Sequence, residues 1–288
     1  MEYLVTYGWA VLILAILLVS LYELGVFNPG VSGVRVQPGA CQVFRPQGAW
    51  TKFNVALEGE CNSGLPQYVM KLTGASSYVY IQNQFQPLQG TKATIVIWAK
   101  WSGAPPGGRQ EILGSDSSLG NEVNPIIAVN DSGVEDAESW VCVSTCWPEA
   151  WSGAGTITPG KWYFFVSRYN GSDVSLWISG SQVNNAGASG NLQAQGTGTT
   201  TYIGSRSNTC CYFNGEVANA QLYNTSLSQS QIQALYNEGI GGAPITLQNL
   251  VGWWPLNGNS NDYSGNRLNG VDTEVSYISA WTGGYTAP

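Results

Sequence analysis

The sequence predicts an α+β architecture that is mainly β: a long N-terminal hydrophobic α-helix followed by an antiparallel β-sandwich or jelly roll. Three observations predict it. Tyr3 to Phe27 is almost wholly apolar, YLVTYGWAVLILAILLVSLYELGVF. Beyond residue 30, short β-branched and aromatic runs recur between clusters of Gly, Ser, Asn and Pro. Charged residues are only 10 % of the 288, against 36 glycines and 12 % aromatics, a balance that suits strands and loops rather than a helical bundle. The length is ample for a buried core, and a net charge of −7 excludes nucleic acid as a natural partner.

The first element is the apolar stretch. At about 1.5 Å per residue it spans a bilayer core as a helix. Glu2 and Glu23 are its only nearby charges, and no Lys or Arg precedes Arg35, so the positive-inside rule assigns no orientation. A basic n-region, a short apolar core and a small-residue cleavage site would mark a secretory signal; none is present. Gly25 and then Asn28-Pro29-Gly30 stop the helix. One reading is an ordinary membrane anchor. The other is a helix that packs against its own copies, with Glu2 pairing the α-ammonium of a processed N-terminus. Residues MEYLVTYGWAVLILAILL resemble the start of archaeal type IV pilins. The resemblance implies a membrane anchor before assembly and, afterwards, a filament core of identical subunits. Glu2, Tyr3, Leu4, Tyr7, Trp9, Leu14, Leu17 and Leu21 would form the polymerisation surface. The basic leader of that family is missing, so the numbering is expected to begin at or near the mature terminus.

Residues 31–40 (VSGVRVQPGA) read as a linker or a first strand. The clearest strands follow at Tyr78–Ile81, Ala93–Trp98, Trp162–Ser167, Val174–Ile178, Thr201–Gly204 and Val217–Tyr223. Strands of this number and spacing suggest a sandwich or jelly roll. Ser228 caps one helix, in which Ile232, Leu235 and Tyr236 share a face before Gly239 stops it. The phrases GASSYVYI, ATIVIWAKW, GKWYFFVSRYNGSDVSLWISG, YIGS and FNGEVANAQLYNTSLSQSQIQALY resemble the laminin-G-like, concanavalin-like jelly-roll family. That implies two curved antiparallel sheets, with Trp98, Trp162 and Trp177 structural. A phrase that usually opens such domains, LVGWWPLNGNSNDYSGNRLNG, lies here at Leu250 to Gly270. Either the jelly roll is circularly permuted, or a second copy begins and is truncated; permutation is favoured because too few residues follow. The expected domains are therefore a hydrophobic pilin helix (1–30), a linker with a disulfide-stapled region (31–64), and a jelly roll completed by the C-terminal segment (65–288).

Chemistry is limited by what the chain lacks. There is no histidine, so Ser-His-Asp and Cys-His arrangements are excluded, and no Cys-x-x-Cys starts a zinc site. The six cysteines, Cys41, Cys61, Cys142, Cys146, Cys210 and Cys211, read as disulfides of an oxidising, extracytoplasmic compartment. Cys41–Cys61 is the expected pair. Cys142–Cys146 and a vicinal Cys210–Cys211 bond are favoured for the rest, with cross-pairing between those two segments left open. Asn130, Asn170 and Asn224 head Asn-x-Ser/Thr sequons and are candidate glycosylation sites. Glu135-Asp136-Ala137-Glu138 follows a turn and reads as a solvated loop, not as a glycosidase's carboxylate pair, so no enzyme is expected. Asp116, Asp131, Asp136 and Asp262 are weak calcium candidates, better read as Asx turns, and no cofactor is expected. Trp101, Trp140, Trp147 and Trp151 lie outside the clearest strands and are candidate aromatic platforms for sugars. The expectation is a filament subunit displaying a lectin-like domain at the cell surface, for adhesion to surface glycans or bundling with other filaments. The alternative is a membrane-anchored lectin-like protein that does not polymerise.

Overall fold

A computed structural model describes residues 13, 15, 40–43, 55–58, 65–82, 90–103, 108–116, 126–130, 133–143, 146–192 and 200–288. Contacts divide the chain after Pro38, and the account below concerns Gly39–Pro288. The first strands are β1 (Ala40–Val43), β2 (Val55–Glu58), β3 (Val69–Thr73), β4 (Tyr78–Gln82), β5 (Ala93–Trp101) and β6 (Gln110–Asp116). Next come β7 (Ile126–Val129), β8 (Ala137–Cys142), β9 (Cys146–Trp151), β10 (Trp162–Tyr169), β11 (Asp173–Ile178) and β12 (Ser181–Gly187). The last are β13 (Thr200–Ile203), β14 (Asn214–Tyr223), β15 (Leu250–Trp254), β16 (Val271–Thr273) and β17 (Ser276–Ile278), with helix α1 (Gln229–Asn237) after β14.

Apart from the β1–β2 pair, the strands form two antiparallel sheets. The larger runs β12-β11-β10-β5-β14-β3-β17, and the smaller runs β16-β4-β13-β6-β7-β8-β9. Ten-residue β14 organises the larger sheet. Its first half pairs with β3, and its second half pairs with β15 on the same side. The handover sits at a bulge where Asn219 adopts φ 51°, a left-handed conformation that Asn tolerates better than most residues. Asn219 Nδ2 donates to Gly242 O, its Oδ1 accepts from Trp253 Nε1, and its N–H donates to Pro255 O, so one side chain ties β14 to the incoming segment. Leu250–Trp254 is thus a strand of the main sheet. Trp254 is fully buried in the inter-sheet core, and its indole donates to Leu268 O.

The core between the sheets takes Val79, Ile81, Ile97, Ile127, Val141, Phe165, Leu176 and Ile203. A second apolar layer lies on the opposite face of the larger sheet, where Trp98, Trp162, Phe164 and Trp177 pack beneath α1 and the C-terminal segment. These tryptophans fill structural positions. α1 is fixed by a capping box: Ser228 Oγ accepts from Gln231 N, and Gln231 Oε1 accepts from Ser228 N. Ile232 and Leu235 are buried on its inner face, and Gly239 follows its end at φ 77°. The C-terminal segment is latched by Trp281, which is 1 % exposed and donates to Pro66 O. Lys100 Nζ donates to the carbonyls of Trp281 and Gly283 and pairs with Glu216.

The fold class is therefore corrected. Among the described residues of Gly39–Pro288 the sandwich is mainly β and antiparallel, with one α-helix of nine residues, so the expected α+β class becomes mainly β; the apolar stretch at 3–27 lies, apart from residues 13 and 15, outside the described residues. The class follows from which layers bury one another, and here those are two sheets. Among the described residues no helix is long and apolar enough to cross a membrane. Glu2, Tyr3, Leu4, Tyr7, Trp9, Leu14, Leu17 and Leu21 lie outside the described residues.

Candidate functional site

Strand alternation puts Val79 and Ile81 of β4 into the core, so Tyr78 and Tyr80 point to the other face of the smaller sheet. Tyr202 on β13 stands opposite Tyr80, and Ile203 beside it turns inward. Tyr212 joins them from the loop after β13. The Tyr78 ring lies 6.3 Å from Tyr80, 5.7 Å from Tyr202 and 6.2 Å from Tyr212, the last nearly parallel at 25°. All four are half-buried. Tyr212 is held by its hydroxyl, which donates to Asn208 O at 2.6 Å, and burial together with neighbouring Tyr78 raises its pKa, so it stays a donor.

The same face continues across β6, β7 and β8. Tyr202 stands opposite Gly114, where a Cβ would come within 2.7 Å of Glu111 Oε2, so glycine leaves room for that carboxylate. Glu111, Ala128 and Glu138 stand in one cross-strand row. Arg109 Nε donates to Glu138 Oε1 at 2.8 Å, and its guanidinium lies 4.2 Å over the Trp140 ring. Ile126, Ala128 and Trp140 make a small apolar cluster beneath. The face thus has a half-open tyrosine end and a closed end braced by an ion pair between half-buried Arg109 and buried Glu138.

The structure separates the expected tryptophans. Trp140 and Trp151 belong to the outer face of the smaller sheet, but Trp140 is 1 % exposed under Arg109 while Trp151 is 45 % exposed at the sheet edge. Trp101 corrects the expectation: it is 4 % exposed in the core, its indole donating to Gln110 Oε1, because β5 runs on to residue 101. The Trp147 side chain lies outside the described residues. The acidic run is corrected too. Glu135 is an exposed turn residue, but Asp136 is buried and accepts from Trp151 Nε1, and Glu138 is a fully buried strand residue. Asp262 is a turn hub, its carboxylate accepting from Trp253 N, Ser264 N and Leu268 N. The Asp116 side chain and Asp131 lie outside the described residues. Among the described residues no group of three or more His, Cys, Asp or Glu could hold a metal ion.

Cys142 is disulfide-bonded and stands opposite Cys146 in the β8–β9 pair. Cys61 and the Cys41 side chain lie outside the described residues. Cys210 and Cys211 are free thiols, which corrects the vicinal bond, and burial together with the neighbouring Cys210 thiol pushes the Cys211 thiol up. Asn130 is 1 % exposed, Asn170 closes an Asx turn onto Ser172 and Asp173, and Asn224 is exposed. Burial therefore makes Asn130 a poor acceptor for a glycan on the folded chain. The tyrosines escaped the sequence reading, although Tyr78-Val79-Tyr80-Ile81 held the signal: two tyrosines on the face opposite two core residues.

Residues 73–233 match the family described as the concanavalin A-like lectin/glucanases superfamily, more than half of the chain. A candidate carbohydrate-binding protein from Bacteroides ovatus shares the fold at TM-score 0.56 and 12 % identity, over 74 % of this chain and 60 % of that one. The native heptameric SAP-like pentraxin from Limulus polyphemus does so at TM-score 0.51 and 12 % identity, over 74 % and 94 %. No curated protein sequence matches the chain.

Proposed function

We propose that the chain, which belongs to the concanavalin A-like lectin/glucanases superfamily, binds carbohydrate on the outer face of its smaller sheet. The carrying observation is the meeting of Tyr78, Tyr80, Tyr202 and Tyr212 on one half-exposed face. Tyrosine rings offer flat apolar surface to sugar rings while their hydroxyls meet the sugar's own. The description of the Bacteroides ovatus protein points the same way. Binding rather than hydrolysis fits the buried state of Glu111 and Glu138, whose carboxylates are closed off from a glycosidic bond. Affinity electrophoresis through neutral polysaccharides tests the reading. Tyr78→Ala and Tyr202→Ala should each weaken retention roughly tenfold, about 1.4 kcal/mol, while Trp151→Ala changes it little. Equal retention of all three variants refutes it.

The finer reading is that this lectin-like domain is displayed outside the cell by a type IV pilus-like filament of identical subunits. The apolar sequence from Tyr3 to Phe27 supports it, and its rival is a membrane-anchored lectin-like protein. Leu14→Asp or Leu17→Asp should abolish surface filaments seen by electron microscopy while the sandwich stays folded; normal filaments would overturn the idea.

A further inference from the structure

The tyrosine face has an acidic corner that ring stacking alone does not use. β16 borders β4, with Val271 opposite Tyr80 and Thr273 opposite Tyr78. Cross-strand partners share a face, so both residues extend the tyrosine surface, and Val271 is 43 % exposed there. The next residue, Glu274, is exposed and holds φ 49°, a left-handed conformation uncommon for a side chain of its size. From that turn its carboxylate reaches Ser76, just before Tyr78, and Oε2 accepts from the Ser76 hydroxyl. A fixed negative charge therefore stands at the Tyr78 end of the face. Tyr212 feels it as well, since Glu274 is among the groups that raise its pKa. The other charges nearby are engaged elsewhere. Asp272 accepts from the Tyr277 hydroxyl at 3.0 Å. Glu111 and Glu138 are buried. Arg206, a cation of the loop after β13, acts on Cys211.

We propose that this face selects carbohydrate bearing a free primary amine, with Glu274 taking the ammonium of an amino sugar while Tyr78, Tyr80 and Tyr202 take the apolar faces of its rings. The selectivity rests on the sugar-binding reading and adds the class of sugar to it. A carboxylate beside aromatic faces suits an ammonium twice over: the opposite charge attracts it, and the negative face of a tyrosine ring attracts it again. N-acetylation removes the positive charge, so an acetylated sugar keeps only the ring contacts. A uronic acid meets the same carboxylate as a like charge. Exposed ion pairs and exposed cation–π contacts are each modest, so the expected preference is about tenfold.

The test is isothermal titration of the full chain, at mildly acidic pH where the sugar amine is charged, with three β-1,4-linked tetrasaccharides: of glucosamine, of N-acetylglucosamine and of glucose. The glucosamine tetrasaccharide should bind about tenfold tighter than the other two. Glu274→Gln should abolish that preference and leave glucose binding as it was. The chain carries a net charge of −7, which attracts any cationic sugar at long range. Asp272→Asn is therefore the matched control: it removes one negative charge from the same edge of the sheet and should keep the preference. Equal affinity for the three sugars in the unmodified chain would overturn the proposal, as would a preference that Glu274→Gln and Asp272→Asn weaken alike. Glucose bound without any preference sinks the amine selectivity alone; binding to none of the three sinks it together with the sugar-binding reading.

Discussion

Replacing Trp254 by alanine probes the closure of the sandwich by its C-terminal segment. Trp254 is 0 % exposed, lies in the inter-sheet core and donates to Leu268 O at 2.8 Å. Burying a tryptophan removes about 200 Å² from water, worth about 5 kcal/mol at roughly 25 cal/mol per Å². Truncation to alanine in cores typically costs about 3–5 kcal/mol, and the carbonyl of Leu268 loses its donor for about 1 kcal/mol more. A loss of about 4–6 kcal/mol is expected, a large share of the roughly 5–15 kcal/mol that domains possess. Gly252 sharpens the case, because a Cβ there would meet the Trp254 ring at 2.1 Å. Urea unfolding of the purified chain, followed by tryptophan fluorescence, measures the cost against Val183→Ala as an exposed control. A Trp254→Ala cost under about 1 kcal/mol, with the slope unchanged, would refute the reasoning. It would mean that β15 rests on the sheet without closing it.

Arg109→Leu should destabilise by about 3 kcal/mol, since it takes the cation from a buried carboxylate at Glu138; denaturant midpoints check it. Ser228→Ala should cost about 1 kcal/mol through loss of the α1 capping box, read from the same denaturant midpoints. Burial raises the pKa of Tyr223 and Tyr277 above the usual tyrosine range, so the folded chain holds those protons longer than the unfolded chain does. Their contribution to stability is complete below the unfolded value of about 10 and is lost as pH rises from there toward the folded values. Thermal melts should therefore be flat near neutrality and fall steeply on the alkaline side; a melting point that rises above that pH would contradict the burial argument.

Much of the fold was legible in local pattern. Ala93–Trp98 and Trp162–Ser167 read as strands because their β-branched and aromatic residues favour a pleated, buried surface, and the structure extends them to Trp101 and Tyr169. The helix at Gln229–Asn237 read from Ser228, Ile232, Leu235 and Gly239, because caps and helical spacing act within a few residues. Burial was less legible. Trp101 and Trp151 both lie outside the clearest strands of the sequence, yet one is core and the other exposed, because exposure depends on which layer covers a face.

What the sequence by itself determined was the set of local elements: strands with alternating faces, a capped helix, and a LVGWW run apolar in both registers. What only the tertiary structure decided was which of them meet. Tyr78, Tyr202 and Tyr212 are far apart in the chain and share a face only because β4 pairs with β13 in one register and the following loop folds back. Glu138 became a buried strand residue, rather than part of a solvated loop, once β7 and β8 aligned it with Ala128 and Arg109 came to lie beside it. Pairing across long sequence separations is fixed by whole-sheet packing, where one step of register exchanges every inward side chain for an outward one.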